Sequence, residues 1–389
     1  TQVIKAAEDA NEPGRFTAII GYEWTSNEKG NNLHRNVLFR EDGEQAGKVE
    51  PFTTLAPLGS GNPADLWKWM DMAEAKSGSQ ILAIAHNGNL SNGRMFPSSE
   101  VYGGKPIDKA YIETRAKREK LYEITQIKGD GETHPTLSPT DEFANFERLD
   151  VGNLDLSEAK TPAMLEHEYA REALKNGLKL DQQFGANPYK FGLIGSTDSH
   201  TGLATGDENN FFGKASNMEP NPKRLTKDFF RNFKSNLHIK EWQLSASGYA
   251  AVWARENTRA AIFDAMQRKE TYATTGPRMT VRFFGGWDFN AADAQAEVPA
   301  RAGYAKGVPM GGDLSKAPAG KAPSFLVAAM KDPMGANLDR IQIIKGWLDA
   351  KGETHEQVYD VVWSDAQSRK PGKDGKVPAV GSTVDVANA

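Results

Sequence analysis

The sequence predicts an α/β fold over residues 1–276, followed by a smaller β-rich domain over 277–389, and three observations lead there. Short apolar runs alternate with helix candidates in the first part, as in parallel strands joined by helical crossovers. The texture changes beyond Thr274-Thr275-Gly276-Pro277, where strand-like runs are separated by Gly, Pro and Asp clusters. A length of 389 residues also exceeds one typical core. On these grounds a barrel and an open sheet both fit the first part.

The elements follow in order. Residues 3–8 are helix-like, and the apolar run 16–21 leads into Tyr22-Glu23-Trp24. Residues 64–76 carry Leu66, Trp67, Trp69, Met70 and Ala73 at helical spacing after Asn62-Pro63. The run 81–85 leads into His86-Asn87-Gly88, and 123–134 starts as an alternating strand and opens into a glycine-containing loop. A helix is expected from Thr161-Pro162 to a stop at Gly177, and both this helix and 64–76 are read as crossovers. The run 191–194 leads into Gly195-Ser196-Thr197-Asp198-Ser199-His200, and 255–269 is the last helix of the unit. Strands are expected at 279–284, 324–329, 340–345 and 357–362, with loops at 303–320 and 369–376.

Composition narrows the function. With 47 basic and 51 acidic residues the net charge is -4, so no basic footprint for nucleic acid is visible and a small-molecule partner is favoured. No apolar run reaches the roughly 18 residues of a membrane span. The absence of cysteine removes disulfides, thiolate metal sites and cysteine nucleophiles. A cysteine-free chain suits export, so a periplasmic or secreted location is expected, with the cytoplasm as the alternative. The chain starts at Thr1 without an initiator Met or a signal-like segment, which suggests a processed or truncated front.

The donors at the strand ends carry the chemistry. Glu23, His34, His86, Asp198 and His200 offer oxygen and nitrogen only, a set suited to Mn, Fe, Zn or Mg. A single histidine is more often a surface or core residue than a ligand, but an Asp-x-His pair after an apolar strand, together with two further strand-end donors, points to a metal. Without Cys or a Gly-x-Ser-x-Gly elbow, the expected nucleophile is metal-activated water.

Gly21-Tyr22-Glu23-Trp24-Thr25, Asn32-Leu33-His34-Arg35-Asn36, Ala85-His86-Asn87, Gly195 to His200 and Tyr272-Ala273-Thr274-Thr275-Gly276 resemble a bacterial family of unassigned function. That family is similar to the polymerase-and-histidinol-phosphatase (PHP) superfamily of metal-dependent phosphoesterases. The resemblance extends through Gly307-Val308-Pro309-Met310-Gly311-Gly312 and Ile341 to Trp347. It implies a distorted seven-stranded α/β barrel, (β/α)7, holding two or three divalent ions. In that picture Glu23 is the bridging carboxylate, His34 and His86 its companions on one ion, Asp198 a ligand of a second, and His200 of another. The superfamily's opening His-x-His segment and a following Thr-Asp-His-like motif do not occur here and would precede Thr1. The chain as given is therefore expected to hold one ion or none.

The expected function of the intact protein is hydrolysis of a small anionic ester, a phosphoester or a related phosphonate or sulfate ester. Glu23, His86, Asp198, Lys128 and His134 are the candidate catalytic residues, His134 as proton donor to the leaving oxygen. Arg35, Asn36, Asn87, Glu132 and Arg278 are candidate substrate contacts, several of them on sequence adjacency to the ligands. The alternatives are amidohydrolase-like hydrolysis and a non-catalytic binding protein with a structural metal.

Overall fold

The computed structural model describes residues 2–202, 215, 222–244 and 248–385. The chain divides into two units, Thr1–Thr275 and Gly276–Ala389. After a first helix α1 (Gln2–Ala10), the first unit is organised on β1 (Ile20–Trp24), β2 (Arg35–Phe39), β3 (Ile81–Ala85), β4 (Leu121–Gln126), β5 (Gly129–Asp130) and β6 (Gly192–Gly195). These form one six-stranded sheet in the order β1-β2-β3-β4-β6, with β5 folded back on β4.

The barrel expectation is corrected by this sheet. β1 and β2 pair antiparallel, as do β2 and β3, while β3/β4 and β4/β6 are parallel. The sheet is mixed and open, and among the described residues β1 and β6 do not pair to close it. The remaining sheets described in this unit are small and antiparallel: β7 (Asp228–Arg231) with β8 (His238–Lys240), β9 (Tyr249–Val252) with β10 (Thr271–Thr274), and two-residue pairs Asn27–Glu28 with Asn31–Asn32 and Glu100–Val101 with Lys105–Pro106.

Chain length between strands explains part of the difference. The ten-residue link from Trp24 to Arg35 is too short for a parallel crossover. It folds instead as a tight hairpin through Lys29 and Gly30, both at positive φ (54° and 83°), the backbone that a two-residue turn with strand-matching twist requires. Helix α2 (Pro63–Ser77) forms where the periodicity places it, capped by Asn62 and ended by the left-handed Gly78. Yet α2 joins two antiparallel strands, because Phe39 pairs with Ile81. Among the described residues only α3 (Lys109–Arg118), between β3 and β4, and α4 (Ala170–Phe184), between β4 and β6, cross between parallel strands.

The expected helix ending at Gly177 is also corrected. After a one-turn segment Pro162–Leu165, α4 starts at Ala170 and passes through Gly177 to end at Gly185. Gly177 is a packing position: a Cβ there would lie 2.3 Å from Asn187 Oδ1. Helix α5 (Arg259–Gln267) is capped by Thr258, whose hydroxyl accepts from Ala261 N–H.

Strand β3 is buried on both faces, which is why its sequence is continuously apolar. Ile81 and Ala83 join Trp24, Val37, Phe39, Leu66, Trp67 and Met70 under α2. Leu82 and Ile84 face Leu121, Ile194, Phe263 and Met266 on the other side. The second unit carries a three-stranded antiparallel sheet, β12 (Gly307–Pro309), β11 (Thr280–Gly286) and β13 (Ser324–Met330), and a long hairpin, β14 (Arg340–Leu348) with β15 (Thr354–Trp363). The stretch expected to be loop over 303–320 contains the end of α6 (Pro299–Lys306) and β12, so only its later part lacks regular structure.

Candidate metal centre

Register brings the donors together. Glu23 pairs with Asn36 across β1/β2, and Arg35 pairs with Ala85 across β2/β3. The C-terminal end of β1, the N-terminal end of β2 and the C-terminal end of β3 therefore share one edge, and they deliver Glu23, His34 and His86 there. The parallel strands β4 and β6 end at the same edge and bring Glu123, Gln126, Ser196 and Asp198 alongside. A cavity of ≈ 380 Å³ is lined by Glu23, Asn36, His86, Glu123, Asp198 and His200, among others.

Glu23 Oε1 lies 2.8 Å from His34 Nδ1 and 3.0 Å from His86 Nε2. Donor atoms of the three residues lie within 4.8 Å of one another, the one group among the described residues close enough to share a cation. The other nitrogen of His34, Nε2, is 2.8 Å from Asn27 Oδ1. With Nε2–H donating to Asn27, Nδ1 of the neutral ring turns its lone pair toward Glu23, the tautomer a metal ligand needs. His86 Nδ1 is buried without a hydrogen-bond partner.

Two imidazole nitrogens and a carboxylate oxygen thus converge on a point, and lone pairs so arranged need a proton or a cation between them. Burial, acting with the charge on His86 and opposed by the bond to Glu23, holds His34 below the ordinary histidine range, which favours the neutral ligand form. For Glu23 the desolvation that would raise its pKa is outweighed by the two imidazoles, which donate to it and carry positive charge when protonated, and the carboxyl is held far below the usual range. These residues fit a divalent cation with nitrogen and oxygen ligands.

Asp198 and His200 lie outside that group. Asp198, at φ 50°, is ion-paired with Lys128, and His200 is exposed, its Nδ1 3.0 Å from the Asp198 carbonyl oxygen. Both still line the shared cavity, and Asn36 faces it from β2.

Other sequence candidates are drawn elsewhere. Strand alternation turns Arg35 away from Asn36 and under α2, where its Nε donates to Glu119 at 2.8 Å and it is 1 % exposed. Arg35 is a structural cation, not a contact in the Glu23 cavity. Asn87 sits in the left-handed region at φ 49° and starts the turn Gly88–Leu90, with its side chain toward Asn89.

Glu132 accepts both Nε and Nη2 of Arg171, which also bonds Asp141. The His134 ring is occupied at both nitrogens: Thr136 N–H donates to Nδ1, and Nε2 donates to Asp150. It has no free nitrogen to give a proton to a leaving group in this cavity. Arg278 belongs to the second unit, where its backbone N–H donates to Asp332.

Three contributors were given no role from the sequence. Asn27 orients His34, and Asn32 donates to the carbonyls of His86 and Asn87, tying the two ligand segments together. Glu123 is buried in the cavity wall, with Oε1 unpartnered, and its pKa is raised to about 7, chiefly by desolvation. A carboxylate inside the otherwise uncharged and mostly buried strand Leu121–Gln126 was the available signal.

Among the described residues no helix is long and apolar enough to cross a membrane. No curated protein and no solved structure matches the chain. One family does: the model described as protein of unknown function (DUF3604) matches residues 1–389, and the chain belongs to that family.

Proposed function

We propose that the protein is a divalent-metal-dependent hydrolase of a phosphoester or a related phosphonate or sulfate ester. The observation that carries this reading is the convergence of His34 Nδ1 and His86 Nε2 on one oxygen of Glu23, beside a cavity that Asp198 also lines. Glu23, His34 and His86 would hold the cation. A cation in such a site lowers the pKa of water and offsets negative charge in the transition state.

The chain's own residues do the rest. Asn27 and Asn32 fix the two imidazole-bearing segments. Lys128, held by Asp198, presents positive charge where an anionic ester enters. Glu123, its pKa raised to about 7 by burial, is protonated in part of the molecules at neutral pH and faces the same cavity, so it is the residue suited to protonate a leaving oxygen. In the overall reaction the water oxygen bonds to phosphorus or sulfur, the ester bond to the leaving oxygen breaks, and one water proton ends on the released alcohol.

The test is turnover of bis(4-nitrophenyl) phosphate, an aryl phosphonate ester, an aryl sulfate and an aryl amide by protein loaded with Zn, Mn or Fe. Metal-dependent cleavage of one of the first three, lost in Glu23→Gln, is expected. Preferential cleavage of the amide would favour an amidohydrolase. Stoichiometric metal binding with no turnover of any of the four would favour a structural metal.

A further inference from the structure

A second cavity, of ≈ 540 Å³, shares Glu23, Asp198 and His200 with the first and has two chemically different ends. Its charged end adds His34 and Lys128. The opposite wall is made of Leu90, Leu149, Leu154, Phe229, Ile239 and Leu244.

That wall is the open side of a hydrophobic cluster. Leu90, Leu149, Ile239 and Leu244 are buried together with Ile127 and Leu156, and Leu154 and Phe229 pack against them. Three polar residues also lie on the lining, each with one side-chain oxygen engaged locally, that of Asn27 by His34 Nε2. Asp155 Oδ1 accepts from Ser157 N–H, and the Thr25 hydroxyl donates to the Glu23 carbonyl. Such a wall has little with which to repay a polyhydroxylated substrate for its lost water, whereas it gains by covering apolar surface. The volume falls in the range of small-molecule sites, in which a few placed polar groups orient a mostly apolar ligand.

We infer that the ligand of this centre is amphiphilic: an anionic ester head at Glu23, His34 and Lys128, carrying an apolar group of aryl or short alkyl size that lies against Leu149, Phe229 and Ile239. This rests on the hydrolase reading above and adds the substrate class. It sets sugar phosphates and other polyols apart from the expected substrates.

Methylphosphonate, butylphosphonate and phenylphosphonate, which carry no ester bond to cleave, are the probes, titrated calorimetrically into zinc-loaded protein. Full burial of a methylene tightens binding by about fourfold. Butylphosphonate is therefore expected to bind at least about tenfold more tightly than methylphosphonate, allowing for partial burial. Phe229→Ala should shrink the phenyl-to-methyl ratio while leaving the methylphosphonate and zinc affinities in place. Ile239→Ala gives the same readout should Phe229→Ala fail to fold.

Affinity that is flat or falls with the size of the apolar group overturns the inference. Zinc titration of the same samples separates the two readings. Zinc bound without size dependence removes the amphiphilic ligand and spares the metal centre. Size dependence in parent protein that binds no zinc supports the apolar subsite and removes the metal centre.

Discussion

The imidazole Nε2 of His34 and the amide oxygen of Asn27 are 2.8 Å apart, and this contact decides which ring nitrogen faces Glu23. Asn27 lies in the hairpin that replaces a crossover after β1, so the local chain reversal and the ligand tautomer have one origin. Substituting Asn27→Ala frees the ring to take the other tautomer and to rotate. Metal affinity should fall by about 10- to 100-fold, as for other partners that orient a ligand. Competition with a chromophoric chelator measures it, and an unchanged affinity would remove Asn27 from the centre.

His86→Ala removes a ligand whose other nitrogen has no partner to lose. Zinc affinity should drop by about a hundredfold or more, since a structural site distributes its roughly 10–16 kcal/mol over about four ligands. The melting temperature of the metal-free protein should fall only modestly, by what the vacated volume and the lost bond to Glu23 cost. A large loss of stability without metal would instead mark His86 as a packing residue.

Arg35→Ala should act on folding and little on the metal. Glu119 is 4 % exposed and is held by Arg35 Nε at 2.8 Å, Arg115 Nη2 at 3.1 Å and Trp67 Nε1 at 3.0 Å. Desolvation alone would raise its pKa, but the two guanidiniums hold it below the usual range. Removing one cation leaves the carboxylate under-compensated, at a cost of about 3–5 kcal/mol. Denaturant unfolding checks the loss, and zinc titration should show far less effect than His86→Ala.

Glu123 gives a pH signature in the metal-free protein. Its pKa is raised to about 7 in the folded chain from 4.5, so between those values the folded state binds more protons than the unfolded one. Stability then falls as pH rises from about 4.5 to 7 and levels off above, with a total on the order of 3 kcal/mol from this group. Glu168 and Asp130, raised to about 7 and about 8, act in the same direction, so the comparison must be with Glu123→Gln. That variant should be more stable than the parent at pH 8 and nearly equal at pH 4.5. Identical profiles for the two proteins would contradict the assignment.

Local pattern carried the elements well. The run Ile81–Ala85, the capped helix Pro63–Ser77 and the strand Leu121–Gln126 follow from periodicity and punctuation, because these features act within one turn or one pleat of the chain. Strand direction was a different matter. Nothing in residues 63–77 says whether the helix crosses between parallel strands or returns antiparallel, and the ten-residue link after Trp24 decided against the barrel. Gly177 shows the same limit: a glycine that stops helices in isolation here admits Asn187.

The sequence by itself determined which donor chemistry the protein has: no thiol, and carboxylates and imidazoles placed at the ends of apolar strands. Tertiary structure decided which of them meet. Pairing of Glu23 with Asn36 and of Arg35 with Ala85 brings Glu23, His34 and His86 within 4.8 Å, while pleat alternation sends Arg35 under α2. Salt-bridge and ring partners hold Glu132 and His134 elsewhere. The physical reason is range: composition and periodicity are local properties, whereas a metal centre depends on the register between strands far apart in the chain.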